Sequence, residues 1–242
     1  MPSRVMAVIT FFILQLALVP AVFMKNEAWI VTALKCMIVA AVALILFFVY
    51  EGAALFLKNI QKQTYFQSLR DAGVPTGKVL LYKQVFTWLT LVVTAVLFIG
   101  GFAADTLLIA KKYPSVREEL TAMDWSSLLG DVSGGKAIPI LLAVLNLTFV
   151  LGATVALAYL SVSLTYVFFT RQRFAGLSCI FVFFTFYLLL MTIDARLLGR
   201  LTSVGGRTAA VLFYLILTAA LAAGHRRFFR KKLEPLMFGY TG

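Results

Sequence analysis

Trp29-Ile30-Val31-Thr32-Ala33-Leu34-Lys35-Cys36-Met37-Ile38-Val39-Ala40-Ala41-Val42-Ala43-Leu44-Ile45-Leu46-Phe47-Phe48-Val49-Tyr50 carries a single charge, at Lys35. About 20 predominantly apolar residues suffice to cross roughly 30 Å of hydrocarbon as a helix. Reading outward, five further runs have that character: 5–24, 84–104, 137–169, 174–193 and 208–224. Apolar residues make up 62% of the 242 and charged ones 13%, whereas soluble domains average about 45–50% and 25%. The expectation is an all-α integral membrane protein of six transmembrane helices, with residues 1–242 forming one transmembrane domain.

Two of the runs need comment. Met1–Arg4 is a short basic start, as in a signal peptide, yet the apolar run after it is too long and no small-x-small cleavage site follows. It reads as a retained helix. The run at 137–169 would span roughly 50 Å as a straight helix, so it must tilt, kink or project beyond the bilayer. Pro139 can start or kink it, and Gly152 is a second soft point.

Charge orients the chain. With the amino terminus cytoplasmic, segments 1–4, 51–83, 170–173 and 225–242 lie inside and hold 13 of the 22 Lys and Arg, for net charges of +10 inside and +2 outside. This agrees with the positive-inside rule and puts both termini in the cytoplasm. It also accounts for the overall +12 without nucleic acid: no basic stripe with interleaved aromatics lies outside the apolar runs. Cys36 and Cys179 fall in separate spans near opposite faces, so small packing residues are expected rather than a disulfide or a metal pair.

The largest outer segment is 105–136. Ser115 with Glu118 fits a capping box, and Val116, Leu120, Met123 and Leu128 share a helical face, so 115–129 reads as an amphipathic helix with Trp125 at the interface. It is either a lid over the helix ends or part of an outer gate. The link 194–207 is either a shallow re-entrant turn or a plain outer loop. The tail from His225 through Lys232 is basic, suited to an anchor on anionic lipid or to contact with a cytoplasmic partner.

Chemistry of its own is sparse. There is one histidine, His225, so imidazole-based acid–base or metal chemistry has little to work with. The strongly polar residues within the runs are Gln15, Lys35 and Asn146; Lys35 can snorkel outward, and Gln15 and Asn146 are the candidate intramembrane polar positions. Gly130-Asp131-Val132-Ser133-Gly134-Gly135-Lys136 matches part of a nucleotide-binding loop, but Ala137 stands where the magnesium ligand Ser or Thr is needed and no strand precedes it. Gly73 to Gly77-Lys78 is one residue short of the same spacing. No enzyme and no cofactor are expected.

This leaves the basic stretch 51–83. The second span continues past Glu51 through Ala53, Leu55, Phe56 and Leu57, then gives way to Lys58-Asn59-Ile60-Gln61-Lys62-Gln63. Tyr65, Phe66 and Leu69 make a small apolar face on a short helix. Gly73 fits as its C′ residue with Pro75 as a stop, and Thr76 as the cap of the helix leading into the third span. An aromatic knob among charges suits a cleft in another protein; the other reading lays Tyr65 and Phe66 on the lipid interface.

The run Gln67-Ser68-Leu69-Arg70-Asp71-Ala72-Gly73-Val74-Pro75, followed by Lys78 and a helix start at Lys83-Gln84, resembles the coupling loop of ABC transporter permeases. Tyr159-Leu160-Ser161-Val162-Ser163-Leu164, with Phe174-Ala175-Gly176-Leu177, is similar to the matching region of small six-span permeases of the type-2 (type V) exporter class. The resemblance implies a multi-pass permease subunit in a bacterial cytoplasmic membrane, exporting a hydrophobic or amphipathic substrate such as a peptide, drug or lipid. Its partners would be a separate ATP-binding cassette ATPase, which binds the ATP and magnesium, and a second permease copy or related permease. It makes Tyr65, Phe66, Leu69, Arg70, Asp71 and Gly73 a cytoplasmic coupling helix between spans two and three. The alternative function is a non-transporting scaffold or sensor subunit of a larger complex.

Overall fold

The computed structural model describes residues 27–61, 64–113, 137–169, 175–193 and 204–235, with isolated positions elsewhere. The expected helix at 115–129, the glycine-rich match at 130–136 and most of runs 5–24 and 194–203 lie outside the described residues. Among the described residues the regular structure is entirely helical. In chain order it comprises α1 (Glu27–Gln61), α2 (Thr64–Asp71), α3 (Thr76–Lys112), α4 (Ala137–Phe169), α5 (Ala175–Ile193) and α6 (Val204–Phe228), the last running on into a π-turn at Phe229–Leu233. Among the described residues four stretches are long and apolar enough to cross a membrane, Ala28–Phe56, Thr76–Ile109, Leu141–Phe168 and Val204–Leu233, and Ser178–Ile193 is a shorter apolar helix. The protein is an all-α, multi-pass membrane protein.

Three helices exceed their expected bounds, α6 by four residues at each end of the run 208–224. The 35-residue α1 and the 37-residue α3 replace apolar runs drawn at 29–50 and 84–104, and they absorb most of the stretch 51–83. At 1.5 Å per residue each measures roughly 50 Å or more. Polar residues marked the ends of the runs, but helix continues wherever one face still finds neighbours. Ala53 and Phe56 on α1, and Val79, Leu80 and Gln84 on α3, are buried.

The chain forms two compact units, Met1–Phe48 with Leu91–Trp125, and Val49–Thr90 with Ser126–Gly242. In the first, Ile30, Leu34 and Met37 recur one helical turn apart on α1 and are buried in a cluster with Phe98, Ile109 and Tyr113. The Tyr113 hydroxyl donates to the Val22 carbonyl at 2.8 Å.

The second unit is organised around α4. Leu151 through Tyr159 are buried without a break, the signature of a helix enclosed on every side rather than along one stripe. It packs against α5 and most extensively against α6. Pro139 is the third residue of α4, in the first turn where its missing N–H costs nothing, so it starts the helix.

Close approach to α4 depends on Gly152. A Cβ there would stand 3.0 Å from Thr218 Cγ2 and 3.3 Å from Trp88 Nε1. Those two side chains donate to successive α4 carbonyls, Trp88 to Thr148 at 2.8 Å and Thr218 to Phe149 at 3.1 Å. Small residues at such crossings let helices in lipid share hydrogen bonds that water would otherwise supply. Large apolar side chains point outward elsewhere, among them Phe86, Leu89 and Val93 on α3 and Phe181, Leu188 and Leu189 on α5, as a lipid solvent allows.

Gly152→Val should overpack this crossing at a cost of about 1–3 kcal/mol. Thermal unfolding in detergent should then start about 2–10 °C lower, whereas Gly100→Ala, at a glycine with open space around it, should leave the midpoint unchanged. Equal midpoints for Gly152→Val and the parent would contradict the role given to Gly152.

Candidate functional site

The stretch between α1 and α3 is now a short helix and an elbow. The eight residues of α2 end where Gly73 adopts φ +74°, a left-handed conformation that a side chain would strain. Val74 N–H donates to the Leu69 carbonyl at 2.9 Å, the six-to-one bond of a Schellman motif. Leu69 is half-buried, while Asp71 and Gly73 are exposed. The side chains of Tyr65, Phe66 and Arg70 lie outside the described residues, so the apolar face expected there has no side-chain geometry to report.

The start of α3 corrects one expectation. Lys78 N–H donates to the Pro75 carbonyl at 2.9 Å, making Pro75 the residue before the first turn. Thr76 is already helical and its hydroxyl donates to Glu234 Oε1 at 2.7 Å instead of capping. The helix begins one residue earlier than expected, with Pro75 in the cap position, so Thr76 lies inside the first turn and its hydroxyl is turned to the carboxylate. This bond ties the elbow to the end of α6 across a shallow cleft of about 460 Å³, lined by Gly73, Val74, Pro75, Thr76, Arg230 and Glu234.

Further along the same helices lies a buried polar cluster that the sequence reading did not assemble. His225 on α6 is 0% exposed. Gln84 Nε2 on α3 donates to its Nδ1 at 2.7 Å, and its Nε2 faces Ser163 Oγ on α4 at 2.6 Å. With Nδ1 accepting, the hydrogen sits on Nε2 and is donated to Ser163: a neutral imidazole with both nitrogens used. Thr87 and Tyr159 hydroxyls bond at 2.9 Å beside it. Phe56 of α1 stacks obliquely on Tyr159 at 5.1 Å and meets the imidazole edge-on at 6.2 Å. Gly52 admits Thr87 to this junction, since a Cβ there would lie 2.9 Å from Thr87 Cγ2.

The π-turn completes the cluster. At about 100° per residue a regular helix would carry Leu233 roughly 80° round from His225. The wider i→i+5 turn, closed by Glu234 N–H on the Phe229 carbonyl, keeps His225, Phe229 and Leu233 all fully buried.

The two intramembrane polar candidates part ways. Gln15 Nε2 donates to Asp105 Oδ2 at 3.0 Å, and Asp105 lies within α3 rather than beyond the span end expected at 104. Asn146 is half-buried, and its Oδ1 has no hydrogen-bond partner among the described residues. Residues Gln84, Ser163 and His225 left one signal in the sequence: polar side chains at or within about two turns of the ends of three apolar runs. Their separation of 62 to 141 positions hides that they meet.

Chemically the cluster is a fastener. A fully buried imidazole whose nitrogens are both satisfied has no open face for a substrate. Among the described residues no group of three or more His, Cys, Asp or Glu is placed to hold a metal ion. No family model matches the chain, and no curated protein or solved structure matches it.

His225→Phe preserves the ring but strands the Gln84 amide and the Ser163 hydroxyl, which should cost about 2–4 kcal/mol. The triple variant Gln84→Leu/Ser163→Ala/His225→Phe should recover most of that, because replacing both sides of a buried hydrogen bond by apolar groups is close to neutral. Thermal unfolding of the single and triple variants measures this; losses that simply add across the three sites would show that they are not coupled.

Proposed function

We propose that this chain is the transmembrane permease subunit of an ATP-binding cassette transporter, a six-span protein of a bacterial cytoplasmic membrane that exports a hydrophobic or amphipathic substrate. It hydrolyses nothing itself. A separate ATPase binds ATP and magnesium, and a second copy or a related permease completes the translocation path. Both termini and α2 face the cytoplasm, where the basic segments lie.

The observation that carries this reading is the connection of α2 to the helices behind it. An eight-residue helix with Gln67, Ser68 and Asp71 exposed stands between two membrane-length helices and ends in an elbow with little freedom. Gly73 holds a positive φ, and Pro75 has its φ fixed by its ring. The elbow joins α3 covalently and the end of α6 through Thr76 and Glu234. Eight residues beyond Thr76, the Gln84–His225–Ser163 cluster binds α3, α4 and α6 together. A partner that moves α2 therefore moves three long helices.

Energy enters by differential binding. A ligand shifts a conformational equilibrium only as far as it prefers one state, so the ATPase must hold α2 differently when its nucleotide sites are closed. Tyr65, Phe66 and Leu69 supply the apolar contact and Arg70 and Asp71 the charged rim.

The test is recruitment. Co-purification of the full chain with an ATP-binding cassette ATPase encoded beside it should fall at least about tenfold for Tyr65→Ala/Phe66→Ala/Arg70→Ala, as for the loss of an interface anchor. Thr76→Val/Glu234→Gln should keep the ATPase bound yet lower substrate-stimulated ATP hydrolysis. Full-level recruitment by the triple variant would sink the docking assignment and favour a scaffold or sensor subunit.

A further inference from the structure

Beside the elbow, the end of α6 forms a second feature that the coupling argument does not use. A groove of about 680 Å³ runs between α3 and α6. Its floor is Leu81 of α3 with Ala219, Ala222 and Ala223 of α6. Its far end is walled by Arg226, Arg227, Arg230 and Lys231, every one of them exposed.

The groove exists because of small residues. Three alanines strip bulk from one face of α6 just before its basic end. Gly77 does the same on α3: a Cβ there would lie 3.3 Å from Arg226 Nε and 4.0 Å from Arg230 Cδ. Without that side chain, the two arginines lie against the start of α3. Arg226 and Arg230, and likewise Arg227 and Lys231, are four residues apart and so occupy neighbouring turns of one face.

We propose that this groove holds one anionic phospholipid, its phosphate on Arg226 and Arg230 and an acyl chain over Leu81 and the three alanines. Charge complementarity selects the occupant. Four cations wall the groove and, among the described residues, no carboxylate lines it. A choline-type headgroup would bring an ammonium to a site without an anion for it, whereas an anionic headgroup is matched throughout. The apolar floor selects a lipid over a free phosphate or a nucleic acid, because neither would use it. Arginine favours the phosphate through planar, paired donors. The basic tail is thereby more than a diffuse anchor. Arg230 also lines the cleft beside Thr76 and Glu234, so the lipid would stand next to the elbow. The site requires α6 to lie in a membrane but does not require an ATPase, so it can fail or survive independently of the permease reading.

Native mass spectrometry of the detergent-solubilised full chain, titrated with phosphatidylglycerol or phosphatidylcholine of equal chain length, tests the site. Retention of phosphatidylglycerol should exceed that of phosphatidylcholine by about tenfold or more, and Arg226→Gln/Arg230→Gln should abolish the preference. Ala222→Phe, which fills the floor and leaves the charge intact, should also lower phosphatidylglycerol retention. Lys58→Gln/Lys78→Gln removes two cations outside the groove and should change nothing. Three results would overturn the proposal: equal retention of the two lipids, an equal loss in the Lys58/Lys78 variant, or full competition by glycerol phosphate, which would mark a phosphate site without lipid.

Discussion

A histidine buried among apolar helices must have both ring nitrogens occupied, and that requirement organises the larger unit. Leaving one unpaired would cost about 1–3 kcal/mol, and a side chain 0% exposed has no solvent to relieve it. Gln84 and Ser163 meet the need from two different helices, so the rotation and height of α3, α4 and α6 are set together. Turning one helix by a single residue position, about 100°, would carry its side chain off the imidazole and break the bond. The aromatic packing follows: Phe56 and Phe229 close around the imidazole from α1 and from the π-turn. Even the π-turn is intelligible on these terms, since it keeps the apolar face of α6 aligned with His225 for one turn more.

The same rule is visible in the smaller polar side chains. Thr154, Ser161 and Thr165 of α4 donate to carbonyls one turn back in their own helix, so a central helix carries hydroxyls without needing solvent. Trp88 and Thr218 use α4 carbonyls from outside. In the other unit, Gln15 and Asp105 satisfy one another. Asn146 Oδ1 and Thr106 Oγ1 stand apart, with no hydrogen-bond partner among the described residues.

What could be read from the residues follows from how local each signal is. Hydropathy marked α4 to within its observed ends, because a helix enclosed on all sides is apolar on all sides and its borders are abrupt. Gly73 announced its turn because only a residue without a side chain takes a positive φ at low cost. The ends of α1 and α3 were drawn too early for the opposite reason. Glu51, Lys83 and Gln84 look like exits from lipid to a hydropathy window, but Ala53, Phe56 and Leu80 still have neighbours to bury against. Thr76 looked like a cap because local rules know nothing of Glu234, 158 positions away. His225 reads from the sequence as the first residue of the basic tail; its buried role depends on partners that no spacing rule connects. The apolar face of α2 is read from the spacing of Tyr65, Phe66 and Leu69 in the sequence.

For the permease proposed above, these strengths decide which parts can move against which. Parting α3, α4 and α6 at His225 would strand three polar groups, at about 1–3 kcal/mol each, and would also open the aromatic contacts around Phe56. The Thr76–Glu234 bond is a single charge-assisted hydrogen bond, worth about 1.5–3 kcal/mol. Under load from α2 the single bond gives way before the cluster does. The three helices then travel as one body, driven through the covalent join of the elbow to α3. A body that does not open internally cannot expose a path to alternate sides by itself; it has to rock against something else. That is a physical reason, independent of any family likeness, for such a permease to work with a second copy or a related partner across the translocation path.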